Sequence, residues 1–189
     1  TALPYQRNDS HLGGVATGAS TDLHWLETDG VDDGMVTGNI NFTGTDKVAV
    51  FAGVRKMATA DSVIAELSAN SNANNGSFSV GIGFTERYFS ASRGTIARET
   101  AIQPVATPTD SVVLGGISSI SGDSVVFRLN GAQAASSSAN QGTGNYGNYP
   151  LYLFRRGGTS LPFNGWFYGM AITGRLTTDA ETVATERFL

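Results

Sequence analysis

The sequence predicts an all-β protein: an antiparallel sandwich of two sheets, ending in one short C-terminal helix. Three observations carry this expectation. Short apolar runs recur along the chain, several alternating with the period of two that a sheet with one buried face requires. Turn formers separate the runs, with 24 glycines against 5 prolines and Ser, Thr and Asn filling the gaps. Only the tail carries a helix-start signal. About a dozen short strands cannot bury their faces in one open sheet, so two packed sheets are expected. A chain of 189 residues is long enough for one domain with a core of its own.

Residues 1–21 are polar and Gly-rich without a clear period, and read as a lead-in segment or linker from an upstream region. Residues 22–189 form the domain. Residues 23–26 are its first strand, and 35–42 follow the turn Gly30-Val31-Asp32-Asp33-Gly34. Residues 47–56 alternate clearly, with Val48, Val50, Ala52 and Val54 on one face. Strands at 63–67 and 78–84 flank an Asn/Ser/Gly loop ending in Asn75-Gly76. Residues 88–97 and 111–117 are further strands. Residues 124–129 put Val125, Phe127 and Leu129 on one face before Asn130-Gly131 turns the chain. Residues 134–140 and 141–149 are expected as loops. The last strands are 151–154 and 163–172. Strict alternation in the latter places Phe163, Phe167 and Ala171 on one side and Trp166, Tyr168, Met170 and Ile172 on the other. Such a strand is covered on both sides, or one face meets a partner. Thr178 and Glu181 form a Thr-x-x-Glu capping box that starts the tail helix.

Composition excludes several function classes. There is no cysteine, hence neither a disulfide framework nor a thiolate metal site. The net charge is −4 and no basic run exceeds Arg155-Arg156, so no nucleic-acid partner is expected. The longest apolar stretch, residues 48–54, is too short to span a bilayer, so no membrane insertion is expected. No signal-like segment opens the chain, and a start at Thr1 reads as a fragment or mature piece.

The segment Leu26-Glu27-Thr28-Asp29-Gly30-Val31-Asp32-Asp33 resembles the Leu-x-Phe-Asp-Gly-x-Asp-Asp opening of laminin-G-like, concanavalin A-like lectin domains. Val126 to Gly131, the pair Leu151-Tyr152-Leu153 and Phe163-Asn164-Gly165, and the tail after Leu176 resemble their later segments in the same order, across residues 23–189. A narrower likeness lies in Thr45-Asp46-Lys47-Val48, Gly53 to Lys56, Gln141 to Tyr146 and Arg155 to Gly165, which resemble a domain found in structural proteins of tailed bacteriophages. Thr28 and Gly34 depart from the pattern, each standing where a bulkier residue is usual. The resemblance implies a concanavalin A-like jelly roll on a phage tail, fibre or capsid surface. Its implied partners are other virion proteins and bacterial surface glycans. Its implied location is the virion, assembled in the host cytoplasm and held as an oligomer. The alternatives are a glycan-active hydrolase on the same fold and a pure protein–protein assembly domain.

Candidate residues follow from sugar chemistry. Sugars stack apolar ring faces on aromatics while amides take their hydroxyls. Asn145, Tyr146, Asn148 and Tyr149 cluster in one loop, and Trp166 and Tyr168 share a strand, so these six are the expected ligand surface. Asp29, Asp32 and Asp33 leave two readings open: turn-holding carboxylates, or oxygen ligands for calcium, the one cofactor to consider. Glu27-x-Asp29-x-x-Asp32 is similar to the acid motif of β-glucanases that share this fold. It ends in Asp rather than Glu, and Gly30 and Gly34 break the strand that would align its carboxylates. No catalytic residue is therefore expected. Gly142-Thr143-Gly144-Asn145-Tyr146-Gly147 spells a dinucleotide fingerprint, but a Ser/Ala-rich loop precedes it and Pro150 follows, so it reads as a loop. The two histidines, His11 and His24, read as surface or strand residues.

Overall fold

The computed structural model describes residues 5–9, 23–83, 86–103 and 110–189. It contains strands β1 (Tyr5–Asp9), β2 (Leu23–Asp29), β3 (Met35–Asn41), β4 (Lys47–Lys56), β5 (Ser62–Leu67), β6 (Ser77–Gly83) and β7 (Arg87–Arg93). After them come β8 (Arg98–Ile102), β9 (Val112–Ser119), β10 (Ser124–Leu129), β11 (Ala132–Ser137), β12 (Asn148–Leu153) and β13 (Asn164–Thr173), then helix α1 (Asp179–Phe188). The strands form a seven-stranded sheet in the order β1-β2-β13-β4-β9-β10-β11 and a six-stranded sheet in the order β3-β12-β5-β6-β7-β8. Every ladder between them is antiparallel. This is the expected two-sheet jelly-roll sandwich with its C-terminal helix. Residues 10–22, with His11 and most of the expected lead-in segment, lie outside the described residues, as does Phe84. Tyr5–Asp9, within that segment, pairs along β2 as an edge strand.

The core lies between the sheets. Val48, Val50, Ala52 and Val54 of β4 meet Phe78, Val80 and Ile82 of β6, with Leu114, Phe127 and Phe163 filling the layer. The alternating residues of β4 were legible because each inward side chain has a sheet opposite it. The hairpin between β10 and β11 turns on Asn130 (φ 48°) and Gly131 (φ 85°), the two left-handed positions that a tight type I′ turn demands. Helix α1 starts on the expected capping box: Thr178 Oγ1 accepts from Glu181 N–H at 3.2 Å, and Thr178 N–H donates to the Glu181 carboxylate at 2.9 Å. The helix lies on the outer face of the seven-stranded sheet, where Glu186 takes Arg128 in an ion pair at 2.7 Å.

Three expectations are corrected. Residues 134–137, expected within a loop, belong to strand β11, because pairing to β10 needs only backbone groups, and small Ala and Ser side chains leave no apolar alternation to read. Strand β12 reaches back to Asn148, inside the expected second loop; Pro150 is accommodated beside a register shift against β3. The third correction concerns β13. A bulge between Phe167 and Gly169 on the β4 ladder inserts one residue, Tyr168. Past it the alternation flips, so Phe167, Met170 and Ile172 all pack on the core, while Trp166 and Ala171 pair with the outward residues Arg55 and Phe51 of β4. The strand's two-sided apolar pattern is largely the signature of that bulge.

Candidate functional site

The expected ligand residues fall in two places. Trp166 and Tyr168 are half-buried on the outer face of the seven-stranded sheet. Trp166 stacks on Trp25 of β2 with centroids 4.8 Å apart, and the Arg55 guanidinium of β4 lies 4.7 Å from its ring centre. These partners come from the two strands that flank β13, so the indole is already engaged from both sides. Tyr168 meets Trp25 edge-on at 6.5 Å, and its hydroxyl is 2.6 Å from Ser111 Oγ. The group holds itself together and offers a sugar little open ring face.

The 145–149 segment is divided. Asn145 and Asn148 are exposed, and Asn145 Nδ2 donates to Thr43 O at 2.6 Å. Tyr149 is half-buried, with its hydroxyl donating to Asn75 O at 3.2 Å. Tyr146 is a correction: it is 1% exposed and belongs to the core, edge-on to Phe78 with its hydroxyl 2.7 Å from Ser92 Oγ. Burial removes it from the ligand surface. The Gly142 to Gly147 segment leads into strand β12, in keeping with the loop reading.

Among the described residues, no three His, Asp or Glu side chains converge into a group able to hold a metal. Asp29 and Asp33 hold the turn. Asp33 accepts from Asp29 N–H at 3.0 Å, and Asp29 accepts from Val31 N–H at 2.8 Å. Asp32 contributes its backbone carbonyl, which accepts from Arg155 at 3.2 Å. Chelation with EDTA is accordingly expected to move the melting temperature by less than about 2 °C, below what roughly 1 kcal/mol produces in a chain of this size. A drop of many degrees, restored by calcium, would return these aspartates to metal binding.

A different cluster was missed from sequence. In β6, Phe78 and Val80 turn to the core while Ser77 and Ser79 turn away. Glu66 of β5 pairs in register with Ser79, on the outward face of the six-stranded sheet. Glu66 is wholly buried there. Its carboxylate accepts Arg156 Nε at 3.2 and 3.1 Å and Ser71 N–H at 2.6 Å. Arg156 reaches back because Gly157 (φ 56°) and Gly158 (φ 72°) fold its loop into a turn closed by Arg156 N–H donating to Ser160 O at 2.8 Å.

Beside this pair, Arg98 from the start of β8 lies 5.1 Å from the centre of the Phe89 ring. Its Nη2 donates to Ser79 Oγ at 3.4 Å, a long bond, and its buried Nε has no hydrogen-bond partner among the described residues. Burial pushes the Arg98 pKa down to about 10; the like charge of Arg156 adds to this and Glu66 opposes it. A pocket of about 110 Å³ opens here, lined among others by Asp61, Asn72, Phe89, Arg98, Arg156 and Leu161. Glu66 was discoverable as the one charge inside an otherwise apolar strand. Arg98 and Arg156 carried no sequence signal beyond being basic.

No protein-family model matches the chain, and no curated protein matches it in sequence. Solved structures do resemble it. Domain 4 of AbnA, an extracellular arabinanase from Geobacillus stearothermophilus in complex with arabinotriose, has a TM-score of 0.66 at 13% identity, over 86% of this chain and 76% of that one. The SAP-like pentraxin of Limulus polyphemus gives 0.60 at 9% identity, over 82% and 76%. The CBM40 of a Ruminococcus gnavus sialidase, bound to α2,3-sialyllactose, gives 0.57 at 14%, over 80% and 98%. The chain therefore has the jelly-roll sandwich fold of these lectin and carbohydrate-binding domains.

Proposed function

We propose that this domain is a non-catalytic glycan-binding module displayed on the surface of a tailed-bacteriophage particle. The observation that carries the binding reading is the small pocket on the six-stranded sheet, where Asp61, Asn72, Arg98 and Arg156 gather polar groups beside the Phe89 ring. Two structural neighbours bear names that record bound oligosaccharides, arabinotriose and sialyllactose, which agrees with this reading. The virion setting rests on the sequence resemblance, as do other virion proteins as neighbours and assembly in the host cytoplasm.

The non-catalytic part rests on the carboxylates. Glu27 stands opposite Trp166 in the β2–β13 ladder, and the Asp29 carboxylate is committed to its own turn. Hydrolysis of a glycosidic bond needs two carboxyl groups flanking it at a set separation. A single shallow sugar site is weak, because hydroxyls exchange water for protein at small net gain. Several copies on one particle multiply such contacts by roughly 10²–10⁴ where geometry allows.

A glycan array probed with the domain fused to a trimerising scaffold tests this. Retention of bacterial surface oligosaccharides without release of reducing ends is the expected result. An empty array would overturn the binding reading. Cleavage that disappears in Glu27→Gln would make the protein an enzyme.

A further inference from the structure

We infer that the outer face of helix α1 pairs with the same face of a second copy of this chain, the two helices antiparallel about a two-fold axis at Val183. A surface helix normally sets its apolar stripe against the core. Helix α1 does the reverse. Its buried side chains, Thr182 and Glu186, are polar. Both are satisfied where they lie: the Thr182 hydroxyl is 2.7 Å from Thr177 Oγ1, and Glu186 holds Arg128 at 2.7 and 3.0 Å. With that side fixed, the helical period gathers Ala180, Val183, Ala184 and Phe188 on the other, where all four are exposed. Val183 is 40% exposed and Phe188 87%. Exposed apolar side chains grouped on one face mark an interaction surface.

The charges select the occupant. Asp179, Val183 and Arg187 stand four residues apart and form one row along the stripe, acidic at its first turn and basic at its last. Within one helix these two charges are about 12 Å apart along the axis, too far to neutralise each other. Among the described residues Arg187 has no ion-pair partner, and Asp179 only lends Arg128 a weaker field than Glu186 does. An antiparallel second copy brings Asp179 level with the Arg187 of the other copy, twice over by symmetry. A parallel copy would set like charges together. The antiparallel arrangement also lays Phe188 over Ala180 of the other copy, whose small side chain leaves room for the ring. Trp166 and Tyr168 of β13 do not compete for this role, being engaged with Trp25, Arg55 and Ser111. The pocket beside Phe89 belongs to the other sheet, so pairing through α1 leaves it open in both copies. Ten helical residues span about 15 Å, so the contact stays below the roughly 1,200 Å² of a stable complex. Pairing is therefore weak, and takes hold at the roughly millimolar concentrations that tethered copies share.

Sedimentation equilibrium of the domain up to about 1 mM, at low salt, tests this. A reversible monomer–dimer equilibrium is expected. Phe188→Ser should weaken it at least tenfold without moving the unfolding midpoint, because this ring touches solvent rather than core. Asp179→Lys and Arg187→Glu should each weaken self-association at least fivefold, and an equimolar mixture of the two should restore it, since each supplies the charge the other now needs. A monomer at about 1 mM overturns the inference and leaves the stripe to a different protein. A dimer indifferent to Phe188→Ser overturns the surface, and a mixture no better than its components overturns the antiparallel arrangement. Should a charge variant not fold, Val183→Cys decides: the chain has no other cysteine, so oxidation is expected to yield a disulfide-linked dimer, and its absence overturns the inference.

Discussion

Replacing Glu66 by alanine is expected to destabilise the domain by about 3–5 kcal/mol, the range for removing one partner of a buried ion pair. Three losses coincide. The Arg156 side chain, 15% exposed, keeps its charge without a counter-ion. Ser71 N–H loses an acceptor at 2.6 Å. Arg98 loses the opposite charge that offsets its burial. Glu66→Gln should cost less, because the amide oxygen still accepts a hydrogen bond, and Glu66→Leu with Arg156→Met should recover much of the loss. Urea midpoints at unchanged slope would measure each variant. The Arg175–Glu181 pair is the internal control: both side chains are open to solvent (57% and 42%), so breaking it should matter little. If Glu66→Ala falls within about 1 kcal/mol of the parent, the pair does not hold the fold together.

The same pair shows why part of the site was illegible. Glu66 and Arg156 are separated by 90 positions and meet only through the β12–β5–β6 order of the sheet, which no local pattern specifies. Arg98 reaches the pocket from yet another strand. Local signals served better. Val48 to Val54 alternate because one side of β4 faces the opposing sheet. Asn130-Gly131 marks its hairpin because few other dipeptides tolerate two left-handed residues. The Thr178–Glu181 box starts α1 because both of its bonds lie within four residues. Where tertiary structure intervened, the same reading failed. The bulge at Tyr168 moved Met170 and Ile172 to the core face, an insertion invisible in a run apolar on both sides. At Asp29 and Asp33 the two readings share one sequence signal, because oxygen donors look alike whether they take a metal or a backbone N–H; the structure shows the N–H bonds.

Tyr146 is the position where composition misled most, and it gives the second large expected effect. Its neighbours Gly142, Gly144, Asn145, Gly147 and Asn148 suggest an exposed loop able to offer a ring to a sugar. Instead the backbone is drawn inward: Tyr146 N–H donates to Thr45 O at 2.9 Å, and Gly147 N–H donates to Gly76 O at 2.7 Å. The ring enters the core beside Phe78, and burial raises the phenol's pKa, so its hydroxyl stays protonated beside Ser92. Tyr146→Ala leaves a ring-sized cavity and an unpaired Ser92 hydroxyl, so a loss of about 3–5 kcal/mol is expected. Tyr146→Phe keeps the packing, loses one hydrogen bond, and should cost about 1 kcal/mol. Asn148→Ala, on the exposed side of the same segment, should stay within about 0.5 kcal/mol. Unfolding midpoints of the three variants give the ordering. A Tyr146→Ala protein that unfolds like the parent but fails to bind glycans would move this side chain back from the core to the ligand surface.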